Sequence, residues 1–418
     1  MIGSSAAKWA AEMSPEGDEV VLVGGGEEGL YRAWSDEGRI TRVFDLNPNW
    51  RELAAESIKR YKAIEEESGI SFFHEVGYLT LVDENYANPK KLTDTADFLN
   101  TAGYTCKEVA GKEGASSFPY LELLPGVWGF TQPDRAGHLS PRALVAAQQK
   151  LAGMRGCQLL REAVVGLERA EEGHFVLHLS SGKSITSQRV ILATGAYLNL
   201  SNHLKPFTSN EVNLRLTTQT VGTSCSLWTV CVCTFLFFMD CMYVLLQVAY
   251  LRISEDEAYR LADMPSLTTN YASGLLDGTY ILPPIRYPDG RIYLKLGHGD
   301  HFETDVNTIE ELDAWYNDGK GYPEAVESLA TFIKTLIPGL KVEEVTGGCC
   351  ITSKTPTKDA PYIDEVSPGL FVAAGGCGYA AKSCDEIGRV SASMAVRGKW
   401  DSKVPQAACK IIYKPCEE

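Results

Sequence analysis

The sequence is short of basic residues. Against 54 Asp and Glu there are 39 Lys and Arg, a formal net charge of −15, so a nucleic-acid partner is not expected. The negative charge is spread along the chain and is read as a solubility feature. The N-terminal stretch MIGSSAAKWAAEMSPEGDE lacks the apolar run of a signal peptide, and the C-terminal KPCEE lacks a peroxisomal tripeptide of the S-K-L kind. A cytoplasmic location is the expectation, a peroxisomal one the alternative. There is no internal repeat and no low-complexity tract. Twelve cysteines are present, but no C-x-x-C pair joins a second at zinc spacing, so no metal is expected. Four of them (Cys225, Cys231, Cys233, Cys241) crowd one segment, and the scatter of the others suits reduced thiols rather than a disulfide framework.

What is present suits a soluble globular protein of two domains: 418 residues, 44% hydrophobic and 22% charged, more chain than a single core organises. Near the start, VVLVGGGEEG runs four aliphatic residues, Val20 to Val23, into Gly24, Gly26 and Gly29 at G-x-G-x-x-G spacing. Such spacing permits a tight strand-to-helix turn, close approach of backbone to a pyrophosphate, and close packing of the following helix. Free N–H groups at that helix N-terminus would face the phosphates. An ordinary strand-to-helix turn is the competing reading of so short a motif. Glu27 and Glu28 place two negative charges beside the expected phosphates, which is electrostatically unfavourable.

Further along, RELAAESIKRYK has helical periodicity, with Leu53, Ile58 and Tyr61 near one face, and Ser140-Pro141 starts a second helix. The apolar strand RVILATGAY ends in small residues around Gly195, and LFVAAGG leads into a final helix. These two pieces and the glycine run read as parts of one nucleotide-binding domain interrupted by other structure. Residues 221–247 fit poorly with their surroundings: one charge, Asp240, four Cys, three Phe and no regular period. Three readings stand: an inserted segment such as a translated intron, favoured because excision joins LRLTTQT to VAYLRISEDEAYRL; a membrane span; and a buried hairpin.

In this order, the segments resemble the FAD-dependent glycine/D-amino-acid oxidase superfamily, in particular its monomeric sarcosine oxidase-like branch. The likeness runs from Glu19 to about Arg397, residues 221–247 excepted. It implies an α/β fold: a discontinuous Rossmann-like FAD domain (18–46, 135–210 and 345–400) with a mixed-sheet α+β substrate domain (47–134 and 248–344). DEGRITR resembles the family's arginine motif, which implies Arg39 beside the flavin and Arg42 on the substrate carboxylate; a guanidinium fork suits a carboxylate. VVGLE implies that the Val164 backbone meets the adenine. YLKLGH implies Lys295 by the flavin, where a cation favours reaction with oxygen. GGCCITSKTPT implies Cys350 as a point of covalent attachment. GGCGYAAKS implies Gly376 and Gly378 close to the ring and Lys382 as second carboxylate partner. His298 falls one residue short of the family's active-site histidine. Only Leu30 to Ser35 separate the glycine run from the arginine motif, where the family has a helix and an acidic strand, so on this match Asp45 is not a ribose ligand.

The activity implied is oxidation of a secondary amine or amino acid to an imine by FAD, with O2 reduced to hydrogen peroxide by a monomer. The alternatives are a dehydrogenase with another electron acceptor, an inactive product, and a protein attached to a membrane through residues 225–246.

Overall fold

The computed structural model describes residues 1–24, 33–170, 173–200, 209–215, 232–271, 278–297 and 304–415. The chain opens with helix α1 (Ile2–Met13), whose small residues Ser4, Ser5, Ala6, Ala7 and Ala10 are buried. Strand β1 (Val21–Val23) follows and leads to Gly24; the rest of the glycine run, Gly26 and Gly29 included, lies outside the described residues. Next come β2 (Arg39–Thr41) and helix α2 (Pro48–Ser68). Local chemistry fixes α2. The Asn47 side chain accepts from the N–H groups of Asn49 and Trp50, Pro48 opens the first turn, and Gly69 ends it at φ 65°, a left-handed cap that suits glycine. Leu53, Ile58 and Tyr61 form part of its buried face, as their spacing predicts.

The chain then enters the substrate half through β3 (Tyr78–Val82) and returns at helix α3 (Pro141–Met154), capped by the Ser140 hydroxyl. Strand β4 (Gln158–Leu160) pairs in parallel with β1. An antiparallel meander (Val164–Arg169, Phe175–Leu179, Ser184–Ser187) precedes β5 (Val190–Leu192). A second excursion carries β6 (Met242–Ile253), β7 (Ile292–Gly297) and helix α4 (Pro323–Leu336). After β8 (Glu344–Lys354) the chain closes the nucleotide half with β9 (Tyr362–Ser367), β10 (Leu370–Ala374) and helix α5 (Ala380–Arg397).

The RVILATG and LFVAAGG strands are neighbours, as expected: β5 and β10 pair in parallel, with β9 antiparallel on the far side of β10. The glycine-bearing strand does not join them. β1 pairs with β4 alone among the described strands, so the nucleotide half holds two small sheets, β1–β4 and β5–β10–β9. Helix α1 packs against β1, β5 and β10 and so ties the two together. The small face of α1 meets α5 so closely that a methyl on Gly388 would overlap the Ser5 side chain. Buried Lys8 on α1 lies 2.5 Å from Asp385, which also takes Arg60 at 2.6 Å, so this buried carboxylate of the seam is matched.

The substrate half is a nine-stranded sheet, antiparallel except where Ser266–Asn270 runs parallel to β3. Helix α4 covers it, and Leu79, Leu81, Leu251, Leu294, Leu329 and Ile333 share the core. Of residues 221–247, those up to 231 lie outside the described residues. Val232–Met239 pairs with Ser209–Arg215 and Tyr413–Pro415. Met242 to Gln247 form the first half of β6, register-paired with Lys354 back to Cys349 on β8, and Tyr243, Val244, Leu245 and Gln247 are buried. Val232–Met239 does not pair with β6, so these strands do not make a hairpin with each other. Among the described residues no helix is long and apolar enough to cross a membrane.

Candidate active site

A cavity of about 1820 Å³ runs between the two halves. Its lining includes Met1 to Ser4, β1 and Gly24, Val164, Thr194-Gly195, Arg39, Arg42, Cys350, the turn Gly375–Gly378 and Lys382. Every described residue assigned from sequence to cofactor or substrate lies on this wall except Lys295. His298 lies outside the described residues.

Lys295 sits behind the wall. It is 1% exposed, and its ammonium donates to Asp36 Oδ2 at 2.5 Å and to the Gly38 carbonyl at 3.1 Å. Asp36 collects a cluster: Arg39 bonds the same carboxylate, the Tyr287 hydroxyl donates at 2.9 Å, and the Glu37 N–H at 2.8 Å. Burial alone would raise the Asp36 carboxyl; Lys295 and Arg39 outweigh it and hold the group far below the usual range. Burial and the neighbouring Arg39 push Lys295 down to about 8 despite its carboxylate partner. The guanidinium of Arg39 also donates to the Ala33 carbonyl at 2.8 Å and reaches Cys350 Sγ at 3.7 Å. Arg39 thus joins the buried charge cluster to the cavity.

A second cluster is built from β2 and α5. The Gln132 side-chain oxygen accepts from the N–H groups of Val43 and Phe44 at 3.2 and 2.8 Å, fixing the chain just beyond Arg42. Arg42 Nε donates to the Phe44 carbonyl at 2.8 Å, and its guanidinium lies 4.7 Å from the Tyr78 ring centre. Lys382 Nζ donates to Asp45 Oδ2 at 2.6 Å and lies 4.9 Å from the Tyr379 ring centre. Burial pushes Lys382 down to about 8 against the pull of Asp45. Burial would raise Asp45, but Lys382 and Arg42 hold it low.

The turn from β10 into α5 needs its glycines. Gly375 has φ 72° and Gly378 φ 81°, a region that L side chains rarely adopt. A Cβ on Gly375 would meet the Thr355 methyl, and one on Gly376 the Cβ of Ala380. The Cys377 N–H donates to the Ser353 carbonyl at 2.7 Å, pinning this turn to β8.

Sequence reasoning missed three contributors: the α1 N-terminus on the cavity wall, Asp36, and Asp45 as a partner of the two cations. The signal for α1 was its small-residue run, Gly3 to Ala7. A Cβ on Gly3 would stand 3.4 Å from that of Ala193, so helix and strand end approach closely beside the cavity. The residues present fit a dinucleotide cofactor. The cavity is long and continuous, its wall is pared to glycine at the β10–α5 turn, and the N-termini of α1 and α5 both open on it, where helix dipoles favour negative charge.

Fold and cavity together define a two-domain enzyme built to hold a dinucleotide between its sheets. The family model described as DAO, FAD dependent oxidoreductase, matches residues 1–229, and the chain belongs to that family. FAD is therefore its cofactor. A monomeric sarcosine oxidase from Arthrobacter sp. (strain TE1826) is 22% identical over 387 residues, covering 91% of this chain and 84% of that one. Among solved structures, NikD, an unusual amino acid oxidase of nikkomycin biosynthesis, superposes with TM-score 0.72 at 16% identity, covering 98% and 94% of the two chains. L-proline dehydrogenase from P. horikoshii gives 0.70 at 19%, covering 98% and 94%. Glycine oxidase from Geobacillus kaustophilus gives 0.68 at 18%, covering 98% and 95%. The fold class expected from sequence, a discontinuous Rossmann-like FAD domain with a mixed-sheet substrate domain, is the one observed.

Proposed function

We propose that the chain oxidises a small secondary amine or amino acid of the sarcosine kind to an imine, with O2 taking the electrons as hydrogen peroxide. One observation carries this reading: Arg42, Lys382, Cys350 and the Gly375–Gly378 turn line the same cavity, with Asp45 beside both cations and the Cys377 N–H bonded to Ser353 on the Cys350 strand. Bound FAD supplies the two-electron acceptance. Val164, Gly195, Gly24 and the α1 N-terminus would hold its nucleotide end, and Gly376, Gly378 and Arg39 its reacting end. Cys350 offers a thiol for covalent attachment.

The protein's part in the chemistry is orientation and charge. Arg42 binds the substrate carboxylate and sets the carbon–nitrogen bond against the cofactor, and such positioning lowers the barrier by supplying entropy in advance. The α5 N-terminus favours negative charge developing at the reacting end. Lys295, linked to the cavity through Asp36 and Arg39, supplies positive charge for the oxygen half-reaction. The imine then hydrolyses in water.

The same site read as a dehydrogenase with another electron acceptor has one observation in its favour: Lys295 is bonded to Asp36 and does not line the cavity. Turnover of sarcosine, glycine, proline and iminodiacetate, followed by amine-dependent peroxide formation and by reduction of an artificial acceptor under argon, separates the two. Peroxide formed in step with amine loss supports the oxidase. Acceptor reduction without peroxide in air supports the dehydrogenase, and no turnover with any of them refutes both.

A further inference from the structure

Asp45 has no role in the chemistry above, yet it lies on the cavity wall beside both Arg42 and Lys382, the two cations that the sequence assigns to the substrate carboxylate. It is 5% exposed and follows Arg42 by three residues. One carboxylate oxygen, Oδ2, is 2.6 Å from Lys382 Nζ and 3.9 Å from Arg42 Nη2; the other, Oδ1, accepts the Asn47 N–H at 3.1 Å. Lys382 is 2% exposed, so this ion pair is fully desolvated and Lys382 has its charge matched before any substrate enters. Arg42 differs. Asp45 stands beyond hydrogen-bond distance from it, and among the described residues no carboxylate comes closer. Arg42, Lys382 and Asp45 together carry a single net positive charge.

We propose that Asp45 is a specificity-determining residue: by occupying Lys382 it leaves Arg42 as the member of this cation pair that meets the substrate, so that the site takes amino acids with one carboxylate and discriminates against dicarboxylates. A second substrate carboxylate has to displace Asp45 from Lys382, leaving a buried anion unpaired, or lie beside Asp45 at the cost of like-charge repulsion. The inference rests on reading Arg42 as the carboxylate anchor.

The test is calorimetric binding of acetate and malonate to the FAD-loaded protein, so that it does not depend on turnover. Asp45→Asn removes the charge but keeps an Oδ1 acceptor for the Asn47 N–H; Asp45→Glu keeps the charge. The wild type is expected to bind malonate no more tightly than acetate. Asp45→Asn should shift the malonate-to-acetate affinity ratio towards malonate by about tenfold or more, as expected for one freed charge pair. Asp45→Glu should retain the wild-type ratio, and adding Lys382→Met to Asp45→Asn should abolish the gain. An unchanged ratio in Asp45→Asn, with acetate binding still dependent on Arg42, overturns this inference alone. Acetate binding that survives Arg42→Gln overturns the anchor reading on which it rests.

Discussion

The cluster behind the cavity makes a demand on stability that the substitution Lys295→Met exposes. In the wild type the Asp36 carboxylate is satisfied by Lys295, Arg39, Tyr287 and the Glu37 N–H. Removing one partner of a buried pair costs about 3–5 kcal/mol when it leaves the other charge alone. Here Arg39 and Tyr287 remain, so Lys295→Met should cost about 2–3 kcal/mol, nearer a lost charge-assisted hydrogen bond than a stranded ion. Asp36→Asn leaves Lys295 and Arg39 as neighbouring buried cations and should reach the full figure of about 3–5 kcal/mol. The double variant removes both the anion and one cation, and should cost about 2 kcal/mol less than the two single changes together. Urea unfolding of the four proteins at saturating FAD measures this cycle. Single costs that add to within about 0.5 kcal/mol would refute the claim that the two side chains form one buried unit. The same Lys295→Met protein reports on oxygen: amine-dependent peroxide production should fall, and unchanged turnover in air removes Lys295 from that half-reaction.

Three further outcomes follow from the geometry. His138 is stacked on His74 at 4.7 Å, its Nδ1 is buried without a partner among the described residues, and burial followed by the His74 neighbour lowers it to about 3. Between that value and the ordinary histidine pKa the unfolded chain holds a proton that the folded one does not. Stability should therefore fall as pH drops below about 6.5, by up to about 2 kcal/mol at pH 5; urea midpoints at the two pH values should differ less in His138→Phe, and an equal difference counts against the assignment. Gly375→Val forces a β-branched residue to a left-handed φ of 72° and against the Thr355 methyl; it should destabilise by about 1–3 kcal/mol or more and lower FAD retention on gel filtration, whereas wild-type retention would show that the turn is not part of the cradle. With Cys350→Ser the flavin should separate from acid-precipitated protein, while wild type stays yellow; a colourless wild-type pellet excludes the covalent bond.

Much of the fold was legible because it rests on local chemistry. The Asn47-Pro48 start of α2 and the Ser140-Pro141 start of α3 are caps that side chains make with their own neighbouring backbone, and the small-residue ends of β5 and β10 lie on the cavity wall. The partners of Lys295 were not legible. A lysine between two leucines on a strand reads as a surface residue or as a site residue. Only the approach of Asp36, far off in sequence, puts its ammonium one layer behind the cavity. The glycine run was the most visible motif, yet its strand pairs with Gln158–Leu160 and not with the RVILATG strand. Spacing describes a turn without saying which sheet neighbour it will have. Met242 to Gln247 shows no period in the sequence, and at its centre Val244 and Leu245 are buried and paired on both edges, a setting that needs none.

On the proposed function, this cavity holds FAD against an amine anchored by Arg42. Anaerobic addition of sarcosine to the FAD-loaded protein, followed by absorbance, tests it most directly. The account predicts that the yellow flavin band bleaches, that air restores it with release of hydrogen peroxide, and that Arg42→Gln bleaches only at far higher sarcosine concentration. Bound flavin that stays yellow, or that bleaches equally in Arg42→Gln, would contradict it.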